Sequence, residues 1–505
     1  MWTKTVSFDE ALLMTGFGKF NIGILVLCGT ILIGMIFETL GLSYITPASQ
    51  CDLELTLTQK GWLGAIPFVG IIVTSHLWGW LADTRGRRPV IMYSMAIGSF
   101  FSILSSFSPN LISFAVIRFV TAVFIAGPSA VAYAYLGEFN NPMHRDKMVT
   151  IGASFISVGC VFLPALAWLI QISDFRLPIE FLGIDYRPWR LLVAVLAMPN
   201  AICALIMLIA PESPKFLACM GKNQEAMKVL RTMHAANGGS GDPFENVQLQ
   251  VKQTEVQKSV LRSMWDQTYP LFQRPLLFYT CIACFVQFAC FSCANGFYLW
   301  IPEILNRVVN EQQNAASLGT VCEIISVRTV ANNTSLIDVY NSTIPEMITQ
   351  CSDKVYSGTF MRTIIIGGIL SPFMILAGFI VNILGKRNIL IGVPLLSGIS
   401  AFAIHWCTNQ NVSLLLLGLF QLVGCCIGMM NAVVVEIFPT HLRAMAVCLS
   451  LMFGRLGSIL GSNLIGLLIE VNCPSSFFLF GSILIVSSGV CWLLPKPKKQ
   501  TQLLS

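Results

Sequence analysis

Apolar residues run through this chain in blocks of about twenty, the length that carries an α-helix across about 30 Å of hydrocarbon at 1.5 Å per residue. Twelve such blocks are predicted as membrane-spanning helices: 21–45, 61–82, 89–107, 111–136, 149–171, 189–210, 275–301, 360–383, 388–407, 413–437, 446–470 and 475–494. Most are joined by short basic connections. Two longer polar stretches break the rhythm. The first, 211–274, contains Lys222 to His234, where Ala226, Val229, Leu230 and Met233 recur at helical spacing and predict an amphipathic helix. A flexible break at Gly238-Gly-Ser-Gly-Asp-Pro243 follows it. The second polar stretch is 303–357. Residues 1–20, with Phe8-Asp9-Glu10-Ala11-Leu12 and Gly16-Phe17-Gly18-Lys19-Phe20, read as a short lead-in and not as a cleavable signal.

Composition sharpens the class. Of 505 residues, 55% are hydrophobic and 11% charged, against about 25% charged in an ordinary soluble domain. The net charge of +6 does not point to nucleic acid, because the cations sit in short loops beside the bilayer. By the excess of Lys and Arg on the cytosolic side, the loops holding Arg85, Arg87, Arg88, Arg145, Lys147, Lys386, Arg387 and Arg443, and the tail lysines of 496–505, are placed inside. Both termini are then cytosolic, in a plasma or vesicle membrane. Residues 303–357 fall outside, and there Asn332, Asn333 and Asn341 each begin a glycosylation sequon. In the same segment Cys322 and Cys351 are a candidate disulfide; most of the other cysteines lie in apolar runs as small packing residues. No regular metal-ligand spacing, phosphate-cradling loop or catalytic constellation occurs, so neither an enzyme nor a cofactor is expected.

One turn is written twice. Gly79-Trp-Leu-Ala-Asp83-Thr-Arg85-Gly86-Arg87-Arg88 joins the second and third blocks, and Gly378-Phe-Ile-Val-Asn382-Ile-Leu-Gly385-Lys386-Arg387 joins the eighth and ninth. Glu138 is followed seven residues later by Arg145, and Glu436 seven residues later by Arg443. Gly79 and Gly378 lie 299 positions apart; Glu138 and Glu436 lie 298 apart. A parallel repeat of six spans is what a major-facilitator fold requires. The expectation is an all-α integral membrane protein of twelve helices in two six-helix bundles, 21–210 and 275–495. In the turn, Gly86 suits a left-handed backbone, Asp83 suits a helix cap or an arginine partner, and Arg85, Arg87 and Arg88 suit pairing with acids such as Glu138. These residues are read as an inner gate, beside the plainer reading that they only set topology.

The turn, the Glu138/Arg145 and Glu436/Arg443 pairs, and Pro211-Glu212-Ser213-Pro214-Lys215-Phe216-Leu217 resemble the sugar-porter-like branch of the major facilitator superfamily. Within it, Gly296-Phe-Tyr-Leu-Trp300-Ile-Pro302-Glu303 and the Gly16–Phe20 lead-in are similar to the group of synaptic vesicle glycoprotein 2 and its related proteins. Those glycoproteins carry a long folded luminal domain between spans seven and eight, for which 303–357 is too short. The resemblance implies transport by alternating access.

Charges inside the membrane are costly and are functional hypotheses by default. Glu38 and Arg118 each fall roughly 10 Å below the outer surface, a depth that permits a pair. In the sugar-porter branch the matching acid and arginine are linked to proton coupling, which implies that role here beside the plainer reading of a static ion pair. Subgroup relatives carry a further acid where this chain has Met35. Arg455 either faces the central cavity or pairs with Glu436. In span seven Gln287, Ser292, Asn295 and Tyr298 fall near one helical face, with Trp300 near the end; each lines a cavity, bonds between helices or, for Trp300, joins an interfacial belt. Asn431 and Gln421 are weaker candidates, and His405 reads as a satisfied polar residue. The paired glutamines and tyrosines of sugar porters are missing, as is the glycine-rich antiporter pattern around Gly159 and Pro164. The chain therefore reads as a carrier of a small organic solute, an organic ion or sugar-like, with proton coupling and a static Glu38–Arg118 pair left as alternatives. A transport-inactive membrane interaction protein of the same fold is the competing class.

Overall fold

The computed structural model describes residues 4–245, 247–250, 268–314, 319–324, 351, 353–439 and 442–495. Asn332, Asn333, Asn341 and the tail lysines lie outside the described residues, as does the Asn382 side chain. The fold is an all-α membrane bundle. Among the described residues, eleven helices are long and apolar enough to cross a bilayer: Lys19–Ala48, Leu57–Arg85, Arg87–Ser105, Leu111–Glu138, Pro142–Gln171, Pro188–Ile206, Leu276–Asn310, Lys386–Ile404, Gln410–Ile437, Met445–Ile469 and Cys473–Cys491. Ser357–Leu384, a helix of 28 residues, completes the series as span eight. Each falls within several residues of its predicted block, because length and hydropathy decide where a span lies.

The ends are set by local chemistry. Asn110 accepts from the Ser113 amide to start span four, and Asn409 accepts from Asn411 and Val412 to start span ten. Spans six and twelve open with proline in the first turn, where a missing N–H costs nothing. Three spans are interrupted. Span one breaks at Gly41, span ten between Gln421 and Gly424, and span seven passes through a π turn at Ser292–Phe297 and a 3-10 turn at Tyr298–Trp300.

The chain forms two compact units. One holds Met1–Gly41, Val69–Leu163 and Ser173–Val260; the other holds Leu42–Phe68, Pro164–Ile172 and Leu261–Ser505. The second unit thus takes in segments 42–68 and 164–172, which belong in sequence to the first repeat.

In the first unit the lead-in is folded. Lys4–Ser7 pairs in parallel with Val247–Gln250, and Ser7 caps the helix Phe8–Met14 through a reciprocal bond with Glu10. Val6, Ala11 and Leu12 bury against Ala226, Leu230, Met233 and Phe244. The first three of those partners lie on the predicted amphipathic helix, observed as Asn223–Ala236. Asn237 ties the two together by accepting from the Phe20 amide (3.1 Å) and donating to the Thr15 carbonyl (3.1 Å) and Asn21 (2.9 Å).

The second unit corrects one expectation. Cys322 and Cys351 do not pair with each other. Cys351 is bonded to Cys51, and Cys322 to Cys473. Cys51 lies in the turn between Leu42–Ala48 and Leu57–Arg85 and Cys473 opens span twelve, so their reach into the 303–357 segment depends on tertiary packing that spacing along the chain does not reveal.

Candidate functional site

The two copies of the repeated turn have the same construction. Gly86 (φ 106°, ψ 159°) and Gly385 (φ 78°, ψ 149°) each stand immediately before the next span, in a region of backbone space that is essentially glycine-only. The following basic residue reaches the acid at the end of the span two further on. Arg87 Nε stands 3.2 Å from Glu138 Oε2 and its Nη2 donates to Oε1 at 3.3 Å; Lys386 pairs with Glu436. The next arginine caps the last span of its repeat. Arg88 donates to the carbonyls of Met207 (3.0 Å) and Leu208 (2.5 Å), Arg387 to that of Trp492 (2.6 Å). Both turns therefore bind the same relative places.

The first copy has an additional anchor that sequence reading did not single out. The Glu212 carboxylate accepts from the backbone amides of Arg87 (3.0 Å) and Arg88 (3.2 Å), capping span three, and from its neighbour Ser213 (2.8 Å). Burial raises the Glu212 carboxyl pKa, opposed by those three amides and by the Arg87 guanidinium. Arg87 also lies over the Phe216 ring at 5.1 Å and 3.0 Å from Asp83, whose side chain is 73% exposed. Arg85 is exposed, and Gly79 has open space around it, so neither packing nor φ explains a glycine there. Arg145 does not join Glu138. It donates to the Gly137 carbonyl (3.1 Å) and pairs with Asp9 of the lead-in (2.9 Å). Arg443 likewise donates to a carbonyl, that of Phe438 at 3.0 Å.

Deeper in the first unit, Glu38 and Arg118 are in contact. Arg118 Nη1 lies 2.7 Å from Glu38 Oε2, and Nη2 donates to the Glu38 main-chain carbonyl at 2.7 Å. Ser102, on span three, donates to the same carboxylate oxygen at 2.9 Å and accepts from Arg118 at 3.0 Å. Both charged side chains are 3% exposed. Among the described residues, Glu38 Oε1 and Arg118 Nε have no hydrogen-bond partner. The cluster is a dry carboxylate with spare capacity on one oxygen, three residues before the break in span one.

In the second unit, Gln287 is fully buried and donates to Asn431 Oδ1 (2.8 Å) and the Ile427 carbonyl (3.2 Å), joining spans seven and ten. Among the described residues Gln287 Oε1 and Gln421 Nε2 lack partners. Ser292 is buried, while Asn295 and Tyr298 are half-buried. All three stand in the irregular π and 3-10 segment, so their regular helical spacing in sequence does not describe their true register. Trp300 is 3% exposed and its indole donates to the Ser462 carbonyl at 2.7 Å, which excludes an interfacial belt. Arg455 lies twelve residues into span eleven from Arg443, about 18 Å along the axis, whereas Glu436 at that end is engaged by Lys386.

One charged contact went unread in sequence. Lys60, in span two, lies 2.8 Å from Glu303 at the far end of span seven, with side-chain exposures of 3% and 9%. A lysine at the edge of an apolar block reads as a boundary residue; its acid partner is 243 positions away. Among the described residues, no group of three or more His, Cys, Asp or Glu is arranged to hold a metal ion.

Comparison with known proteins places this geometry. The family described as Sugar (and other) transporter matches residues 30–331, and the Major Facilitator Superfamily matches 338–505. The chain is 27% identical over 322 residues to synaptic vesicle glycoprotein 2B of Homo sapiens, covering 59% of this chain and 47% of that protein. It is 23% identical over 582 residues to synaptic vesicle glycoprotein 2C of Mus musculus, covering 96% and 80%. The match thus spans about half the length of the 2B relative. Among solved structures, the inward-open xylose transporter XylE from E. coli aligns over 96% of this chain and 98% of its own, with TM-score 0.66 and 16% identity. A point mutant of the nucleoside transporter NupG aligns over 94% and 99%, with TM-score 0.59 and 13% identity.

Proposed function

The chain belongs to the sugar (and other) transporter family of the major facilitator superfamily, and from that premise we propose that it carries a small organic solute by alternating access with a coupled proton. The observation that carries the proposal is the Glu38–Arg118–Ser102 cluster. A carboxylate withdrawn from water, held by one guanidinium and one hydroxyl inside the membrane, is a functional hypothesis by default. Protonation of Glu38 weakens its hold on Arg118, and the break at Gly41 gives span one a place to respond.

The solute site is assigned to the interrupted part of span seven and its neighbours. Gln287, Asn295, Tyr298 and Asn431 supply hydrogen bonds, and Arg455 supplies a positive charge for an anionic group. Irregular backbone within a span recurs where transporters bind their substrates. An organic ion or sugar-like solute fits this chemistry, and structural neighbours include a D-xylose–proton symporter. The repeated turns serve as the cytosolic gate. The Cys51–Cys351 and Cys322–Cys473 bonds support placing the opposite end in an oxidising compartment, with both termini cytosolic.

Uptake into proteoliposomes with and without a pH gradient, over a panel of organic cations, anions and sugars, tests the reading. Glu38→Gln should abolish gradient-driven uptake and spare solute exchange. No flux for any solute would favour the second reading, a transport-inactive interaction protein, to which Met35 in place of the subgroup's further acid lends support.

A further inference from the structure

The second compact unit contains two pieces of the first repeat, 42–68 and 164–172, packed as one body with 261–505. If the repeats move as bodies, as the alternating-access reading requires, these are the contacts that must break and re-form. Most are uncharged. The Tyr44 ring stacks on the Phe360 ring at 6.2 Å between centroids. Lys60 makes a charged one among the described residues. Its ammonium donates to Gln50 (2.6 Å) and Glu303 (2.8 Å), and Glu303 also accepts from Arg307 (3.0 Å). Lys60 lines a small cavity of mixed polarity together with Ser43, Thr46, Leu299, Trp300 and Ser462.

We propose that Lys60 and Glu303 form a charge latch that closes the solute path at the end opposite the Gly79–Arg88 turn. This rests on the alternating-access reading and adds to it the residues that hold that end shut. An ion pair withdrawn from water suits a two-position element. Closed, each charge has a partner at short range; open, each returns to water, so neither position strands a charge. The neighbouring Cys51–Cys351 bond joins the same two repeats, one residue from Gln50, and keeps the partners within reach when the latch is open. On the far side Asn306 ties the latch to span eight by accepting from the Tyr356 amide (2.9 Å) and Thr359 (3.0 Å).

The test uses the full chain in nanodiscs with Ser462→Cys as reporter. Ser462 is fully buried at the cavity wall. Reaction of the introduced thiol with N-ethylmaleimide is followed at that peptide by mass spectrometry, which separates it from the native cysteines. Glu303→Gln strands the Lys60 charge in the closed position, so labelling should accelerate about tenfold or more. Lys60→Met leaves Glu303 with Arg307 and should accelerate it about threefold. The double variant removes the stranded charge and should fall back to the Lys60→Met rate. Unchanged labelling in Glu303→Gln overturns the latch, as does a double variant that labels as fast as Glu303→Gln. Should Glu303→Gln fail to fold, unchanged labelling in Lys60→Met overturns it alone. Labelling needs no solute, so accelerated labelling without flux retains the latch and removes the carrier reading. Flux with unchanged labelling does the reverse.

Discussion

Arg87 and Glu138 face each other at 3.2 Å with side chains only 15% and 11% exposed, while Asp83, 3.0 Å from the same arginine, is 73% exposed. The weight of the first turn therefore rests on Glu138 and not on Asp83. Exposed pairs contribute about 0–1 kcal/mol, whereas removing one partner of a buried pair costs about 3–5 kcal/mol. Glu138→Gln should lower the thermal midpoint of the detergent-solubilised protein by several degrees, and Asp83→Asn should leave it nearly unchanged. Equal losses would show that burial does not rank the two acids.

Gly86 and Gly385 separate backbone strain from collision. Both adopt dihedrals that cost another residue about 1–3 kcal/mol. A Cβ at Gly385 meets open space, but one at Gly86 collides with the Glu212 carboxylate. Gly385→Ala should therefore lose only the backbone increment, and Gly86→Ala distinctly more. Parallel thermal unfolding of the two variants checks the order.

How far these features were legible follows from the range of the forces involved. The spans, the repeat and the Asn223–Ala236 helix are written in local hydropathy and spacing, and all are present. Helix rise converts sequence position into depth, so the equal depths of Glu38 and Arg118 permitted a pair without showing one. Lys60 with Glu303 was not, since no local pattern links residues 243 apart. The strand pair Lys4–Ser7 with Val247–Gln250 escaped for the same reason, and four residues carry too little periodicity to announce a strand. The π turn at Ser292 is a backbone register shift, and the apolar side chains around it fit either register.

The buried charge at Arg118 predicts a non-additive response. Arg118→Met leaves Glu38 ionisable in a dry site and should cost about 3–5 kcal/mol. Replacing both groups, Glu38→Gln with Arg118→Met, removes the stranded charge and should recover most of that loss. A double-mutant cycle from denaturation midpoints measures the coupling; additive losses would mean that the pair contributes no mutual stabilisation.

The disulfide connectivity is directly checkable. Digestion under non-reducing conditions should yield peptides linking Cys51 to Cys351 and Cys322 to Cys473. Cys351→Ser should render Cys51 reactive to maleimide and leave Cys473 protected. A Cys322–Cys351 peptide as the major species would contradict the fold at that end.

Glu212 gives the pH prediction. Burial outweighs its three amide donors and the Arg87 charge, so its folded carboxyl lies above the ordinary value of 4.5. A raised folded pKa means that the folded state holds the proton more tightly than the unfolded chain. The resulting stabilisation is complete below about 4.5 and disappears as pH rises through the folded pKa. Glu212→Gln mimics the protonated group at every pH and still offers an oxygen to the Arg87 and Arg88 amides. Its midpoint relative to the parent protein should rise with pH from about 4.5 upward, then level off once Glu212 is ionised in both states. A relative midpoint that falls over this window would mean that the amides and Arg87 outweigh burial, and that ionised Glu212 caps span three with a net gain.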